Sequence, residues 1–166
     1  NWPDRRTHLL ADEQFDVIIL ENLNAQAVSG NDLVALEQLV GKGKGFLMIG
    51  GYHSFGPGGY GGTAVETILP VQIDPIERQA LGATATVQSA FHLSGQLPMV
   101  PTGPHPITRL ATETENRARW QSLPPLNGAN RFSRIKANGR VLLESSGPEK
   151  HPLLVSSEYG AGRTVA

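Results

Sequence analysis

The chain of 166 residues contains no cysteine. That excludes disulfides, thiolate metal sites and every reaction that begins with a cysteine nucleophile. It also lacks any apolar run close to the ~20 residues that carry a helix across a bilayer, so direct membrane insertion by this segment is not expected. An excess of charge of either sign is missing too: 14 Lys and Arg stand against 15 Asp and Glu, a formal net charge of −1. Such a surface does not draw the chain to nucleic acid or to anionic lipid. Aromatic residues are sparse at 6 %, whereas 19 glycines and 12 prolines promise many tight turns and shaped loops. The length suits one domain with a real core rather than two, so residues 1–166 are read as a single domain. It reads as a domain excised from a larger protein, since the last residues, Thr164-Val-Ala166, look like the middle of a strand.

One stretch organises the rest: Gly45-Phe-Leu-Met-Ile-Gly-Gly-Tyr-His-Ser-Phe-Gly-Pro-Gly-Gly-Tyr60. The apolar run 46–49, bounded by glycines, reads as a strand buried on both faces of a parallel sheet. The loop from residue 50 onward is too rich in glycine for a helix and too aromatic for a solvated linker. Ligands of open α/β sheets sit beyond the carboxyl ends of the strands, and this loop occupies such a place. Residues 15–20, Phe-Asp-Val-Ile-Ile-Leu, read as a second buried parallel strand. Between the two, Ser29 and Asp32 form an approximate capping box ahead of Leu33, Leu36, Leu39 and Val40 at helical spacing. Gly41 and Gly43 end that helix. Strand, helix and strand make a βαβ unit.

The remaining chain divides less sharply. Residues 1–14 are polar and read as an edge segment or loop. Residues 63–69 read as a short helix stopped by Pro70, and residues 83–91, rich in threonine, as an edge or antiparallel strand. Residues 97–106 carry four prolines and read as an ordered loop or lid. A polar helix is expected over 112–121. Strands are expected at 141–144 and 152–156, with Gly160-Ala-Gly162 turning into a last strand from Arg163.

These blocks resemble a known family. Residues 15–20, the leucine-rich helix, Gly43 to Tyr60, Ile68-Leu-Pro-Val71, His105-Pro106, Trp120, Leu123-Pro-Pro-Leu126 and Tyr159-Gly-Ala-Gly-Arg163 are similar to the putative glutamine amidotransferase-like family. The resemblance implies a flavodoxin-like, class I amidotransferase-like α/β fold: a parallel sheet flanked by helices, with an elaborated antiparallel and loop-rich second half. It also implies a place in large, membrane-anchored bacterial proteins, often beside von Willebrand factor A modules. In class I amidotransferases a cysteine sits on a sharp turn directly after the strand matching 46–49, where this chain has Gly50 or Gly51. A thiol activated by a base is the centre of that chemistry, and here it is missing. The expectation is a pseudoenzyme rather than a glutaminase.

Within the loop, Ser54 is the one nucleophile candidate. A nucleophile elbow needs a glycine two residues earlier, and Tyr52 stands there instead. The competing role for Ser54 is to brace the loop through its hydroxyl. His53, His92, His105 and His151 show no ligand spacing of the His-x-x-x-His kind, so neither a metal nor another cofactor is expected. The run from Arg131 to Arg140 reads as a solvated hairpin face. The sequence thus points to a non-catalytic module binding a small polar ligand or a protein. Its expected pocket is lined by Glu21, Asn22, Gly50, Gly51, Tyr52, His53, Ser54 and Tyr60. The alternative is a hydrolase or amidase using Ser54 or an activated water. An open sheet edge would further allow a homo-oligomer.

Overall fold

The computed structural model describes residues 14–73, 82 and 84–166. Strand β1 (Val17–Glu21), helix α1 (Gly30–Gly41) and strand β2 (Gly45–Ile49) form the expected βαβ unit. β1 and β2 are adjacent and parallel, with Ile18 opposite Phe46 and Leu20 opposite Met48. The Ser29 hydroxyl accepts the Asp32 amide at 3.1 Å and donates to the Asp32 carboxylate at 2.8 Å, which starts α1 as its sequence suggests. Leu33, Leu36 and Val40 pack on Ile18, Leu20, Phe46 and Met48, joined by Val65 and Ile68 of α2 (Ala64–Ile68).

The second half is mostly antiparallel. Its elements are β3 (Val71–Gln72), β4 (His92–Leu97), β5 (Met99–Pro101), α3 (Glu113–Gln121) and β6 (Leu126–Asn130). They continue with β7 (Arg134–Ile135), β8 (Arg140–Ser145), β9 (Pro152–Tyr159) and β10 (Gly162–Val165). The main sheet has six strands in the order β1-β2-β10-β9-β8-β5. Only β1–β2 and β2–β10 pair in parallel, and β10 turns back on β9, β9 on β8 and β8 on β5. Small two-stranded sheets join β3 to β7 and β4 to β6. The fold is mixed α/β with few helices, and the parallel part is confined to three strands.

Three expectations are corrected. Neither β1 nor β2 is buried on both faces: Val17 is 56 % and Ile19 is 55 % exposed, and Ile49 is exposed as well. The helices α1 and α2 cover one face of the sheet, and the alternate residues Val17, Ile19, Leu47 and Ile49 lie on the other. Residues 84–91 form no strand, and extended structure begins at His92. Residues 97–106 are not simply a loop, since Met99–Pro101 pairs with β8. The reading of residues 1–14 falls outside the described residues except for Gln14. Among the described residues no helix is long and apolar enough to cross a membrane.

Candidate functional site

The glycine-rich segment after β2 is a packed plug rather than a flap, for residues 54–60 are all buried. Its backbone closes on itself, Gly58 N–H donating to Ser54 O at 3.0 Å and Tyr60 N–H to Phe55 O at 3.0 Å. It also holds the loop after β1, because Ala25 N–H donates to Gly58 O at 2.8 Å. The Phe55 ring meets Phe132 edge-on at 4.8 Å between centroids, an arrangement that aromatic quadrupoles favour.

Two asparagines grip the turn at the strand end. Asn130, buried on β6, accepts the Gly51 amide at 2.8 Å and donates to the Gly51 carbonyl at 3.1 Å. Asn22 accepts the His53 amide at 2.9 Å, and its own backbone has φ +46°, a region that asparagine tolerates better than most residues. Gly50 and Gly51 are required by this grip. A Cβ on Gly50 would lie 2.7 Å from the Asn130 oxygen, and one on Gly51 would lie 2.5 Å from the Asn22 oxygen.

Beside this turn lies a cavity of about 510 Å³. Its floor is the uncovered sheet face, Leu47, Ile49 and Leu154, and its opposite wall is the two-stranded β4–β6 sheet. Gly50, Gly51 and Tyr52 form the end of it. The described lining is mostly apolar and contains no Asp, Glu, Lys or Arg. Burying a charge without a partner is costly, so this lining selects against charged ligands.

His92 is the one ionisable imidazole in that lining and is 7 % exposed. Its Nδ1 accepts the Gln88 amide at 3.1 Å, so the ring proton of the neutral form sits on Nε2. Desolvation pulls its pKa below the ordinary histidine value, against the opposing effect of the Gln88 backbone bond. Its Nε2 is buried and has no hydrogen-bond partner among the described residues. The Tyr52 ring, 42 % exposed, lies beside the imidazole, tilted by 59° with 5.6 Å between centroids.

Of the eight residues expected in the pocket, only Gly50, Gly51 and Tyr52 line this cavity. Glu21 is exposed at the end of β1, and Asn22 braces the loop. The His53 side chain is half-buried and does not line the cavity. Ser54 is 1 % exposed and its hydroxyl donates to Ile49 O at 2.7 Å, a brace across the turn. Tyr60 is fully buried, and its hydroxyl donates to Leu23 O at 2.8 Å; burial raises its pKa. His92 and Asn130 were legible only as isolated residues, since nothing in spacing ties positions 92 and 130 to position 51. Among the described residues no group of three or more His, Asp or Glu side chains is placed to hold a metal.

A second cavity, about 630 Å³, lies between the loop at 101–106 and α3, away from the strand ends. It is lined by Arg109, Arg117 and Glu113 among others, and among the described residues no buried polar atom without a partner points to a ligand there.

Residues 8–166 match the family described as "Putative glutamine amidotransferase" (GATase1-like). No curated protein matches the chain. Among solved structures, the cytoplasmic protein STM1381 of Salmonella typhimurium LT2 is similar at 25 % identity with a TM-score of 0.68. The cytoplasmic protein STM3548 of Salmonella typhimurium is similar at 21 % identity and the same TM-score of 0.68. Each comparison covers 99 % of this chain, which spans 63 % of the length of either protein.

Proposed function

This chain belongs to the putative glutamine amidotransferase (GATase1-like) family, and we propose that it serves there as a non-catalytic ligand-binding domain. The observation that carries the reading is the mostly apolar cavity at the carboxyl end of β2, with no Asp, Glu, Lys or Arg side chain in its described lining. Ligand sites are typically concave and mostly apolar, with a few placed polar groups, and this one has Tyr52, His92, Ser94, Asn127 and Asn130. The ligand is a small neutral molecule, more apolar than the loop's own residue types suggest. We read the parallel β1–β2–β10 part as the flavodoxin-like half of the fold, with the cavity where such folds bind. The membrane-anchored setting rests on the resemblance alone.

Glutamine turnover is not expected. With no cysteine in the chain no thioester can form, and the Ser54 hydroxyl is engaged by Ile49 O inside the loop. The test uses Nile red, a neutral apolar fluorophore, with glutamine as a separate assay. The dye is expected to bind saturably with a blue shift, and Ala129→Phe, which fills the cavity from β6, is expected to abolish the shift. Ammonia release from glutamine is expected to equal the buffer blank. Dye binding unaffected by Ala129→Phe, or ammonia release above blank, sinks the reading.

A second reading concerns self-association. Among the described residues β1 pairs only with β2, and Val17 and Ile19 beside that free edge are exposed. An open edge invites pairing with an identical one, so we propose a homodimer joined through β1. Sedimentation velocity is expected to give a concentration-dependent dimer that Val17→Lys with Ile19→Lys reduces to monomer. A monomer at all concentrations would exclude it. The double variant also controls the dye assay, since it removes the exposed face and leaves the cavity.

A further inference from the structure

A buried N–H with no acceptor is rare in native proteins, because the group loses its water and gains nothing. His92 Nε2 is such a group among the described residues, and His92 lines the cavity. Its state is fixed from the other side of the ring: Nδ1 is taken by the Gln88 amide, and His92 N–H returns the bond to Gln88 O at 2.8 Å. The ring therefore cannot turn over to hide its donor without losing that bond. Protonation would put a second N–H against the Gln88 amide, so the neutral ring, with one donor at Nε2, is the form the fold holds.

What completes such a donor is an acceptor oxygen brought by the ligand. Two further features of the described lining narrow the class. It has no Lys or Arg, so a carboxylate or phosphate would enter without a counter-charge, and it has no Asp or Glu, so an amine fares no better. The floor of Leu47, Ile49 and Leu154 then asks for an apolar body. We propose that His92 Nε2–H is the ligand-recognising donor of this cavity, and that the ligand is an uncharged molecule with an apolar body and one carbonyl oxygen. Ketones, esters, lactones and tertiary amides are the members of that class. The inference rests on the cavity being a binding site, as proposed above.

Because Nε2 is sealed from solvent, the ligand reaches it only when a neighbouring side chain moves. Tyr52, 42 % exposed and in tilted ring contact with the imidazole, is the neighbour assigned that movement. Binding then exchanges the Tyr52 contact with His92 for the ligand's own apolar body, with the carbonyl oxygen on Nε2.

The experiment compares two probes of closely similar planar shape, 2-acetylnaphthalene and 2-isopropenylnaphthalene, in which a CH₂ group replaces the carbonyl oxygen. Affinities are measured by fluorescence titration for the full 166-residue chain and for His92→Phe. In parallel, 15N-histidine NMR of the unmutated chain follows the His92 ring nitrogens. The expected result is a preference for the ketone of roughly fivefold, as one neutral hydrogen bond gives. His92→Phe is expected to abolish that preference while still binding the hydrocarbon. The ketone, and not the hydrocarbon, should move the Nε2 resonance. Equal affinities with an unmoved Nε2 would overturn the assignment of His92 while leaving the cavity as a binding site. Failure of both probes to bind would overturn the cavity itself. The NMR arm needs no variant, so a His92→Phe chain that fails to fold does not remove the test.

Discussion

Gly58→Ala is expected to unfold the glycine-rich plug and to cost roughly 4 kcal/mol or more, the range reserved for severe, nameable defects. A Cβ at this position would sit 2.1 Å from the carbonyl oxygen of His53 and 2.5 Å from its carbon. Those are backbone atoms, so no side-chain rotamer relieves the overlap. The His53 peptide cannot retreat freely either, because its N–H is held by Asn22 and the next residue's hydroxyl by Ile49 O. Gly58 itself is fixed by its bond to Ser54 O and by the Ala25 amide on its own carbonyl. One added methyl therefore presses on the ends of β1 and β2 together. For a domain of this size a kilocalorie is worth about 2–4 °C, so the melting temperature should drop by roughly 10 °C. A variant within about 1 kcal/mol of the parent by chemical denaturation would mean that the turn is looser than its hydrogen bonds indicate.

That turn also separates what the sequence makes legible from what it does not. Periodicity and caps work on contiguous residues, which is why β1, α1, β2, α2 and α3 could be read from composition and spacing alone. The glycines after residue 49 likewise mark a crowded strand end, and Gly50 and Gly51 do meet two asparagine side chains there. A continuous apolar run, however, does not reveal whether both of its faces are covered. Val17 and Ile19 satisfy a buried parallel strand by type and are nonetheless exposed, because the apolar run records the strand but not what packs on it.

The β4–β6 sheet opposite the cavity was harder. Leu126-Asn-Gly-Ala-Asn130 has little strand propensity, and it is extended because His92–Leu97 pairs with it. Such tertiary pairing leaves no local signal. The same holds for the site, whose polar side chains come from positions 52, 92, 94, 127 and 130. Six of the eight residues expected in the pocket lie in the loop itself and two, Glu21 and Asn22, at the end of β1, and five of the eight brace the loop or stand apart from the cavity. The more informative group, His92 Nε2 without a partner among the described residues, depends on Gln88 four residues away and on the pairing of β4 with β6.

Asn130 is where the plug and the β4–β6 sheet meet, and its replacement carries the second large effect. Asn130→Ala is expected to cost about 2–3 kcal/mol, since two hydrogen bonds go, the half-buried Gly51 N–H loses its acceptor and the Gly51 C=O keeps only the Ser54 amide at 3.3 Å. The wall of the cavity at Gly51 would lose its anchor, so Nile red affinity should fall along with stability. Asn130→Asp separates the two bonds. Its carboxylate can still accept the Gly51 amide, but the second oxygen faces the Gly51 carbonyl where the amide NH₂ had donated. Only the protonated acid restores that donor, and burial also favours the neutral form, so the folded-state pKa of the introduced carboxyl is raised above the ordinary ~3.9. A raised folded pKa means that the contribution is fully present below the unfolded value and is lost as pH climbs through the folded one. Asn130→Asp should thus approach the parent's stability near pH 4 and fall behind it by neutral pH. Asn130→Ala should trail the parent by the same margin at both. Denaturant titrations of the three proteins at the two pH values decide it. A deficit for the aspartate variant that does not grow with pH would show that the Nδ2 bond to Gly51 contributes nothing, and that the grip on the turn is the Oδ1 acceptor alone.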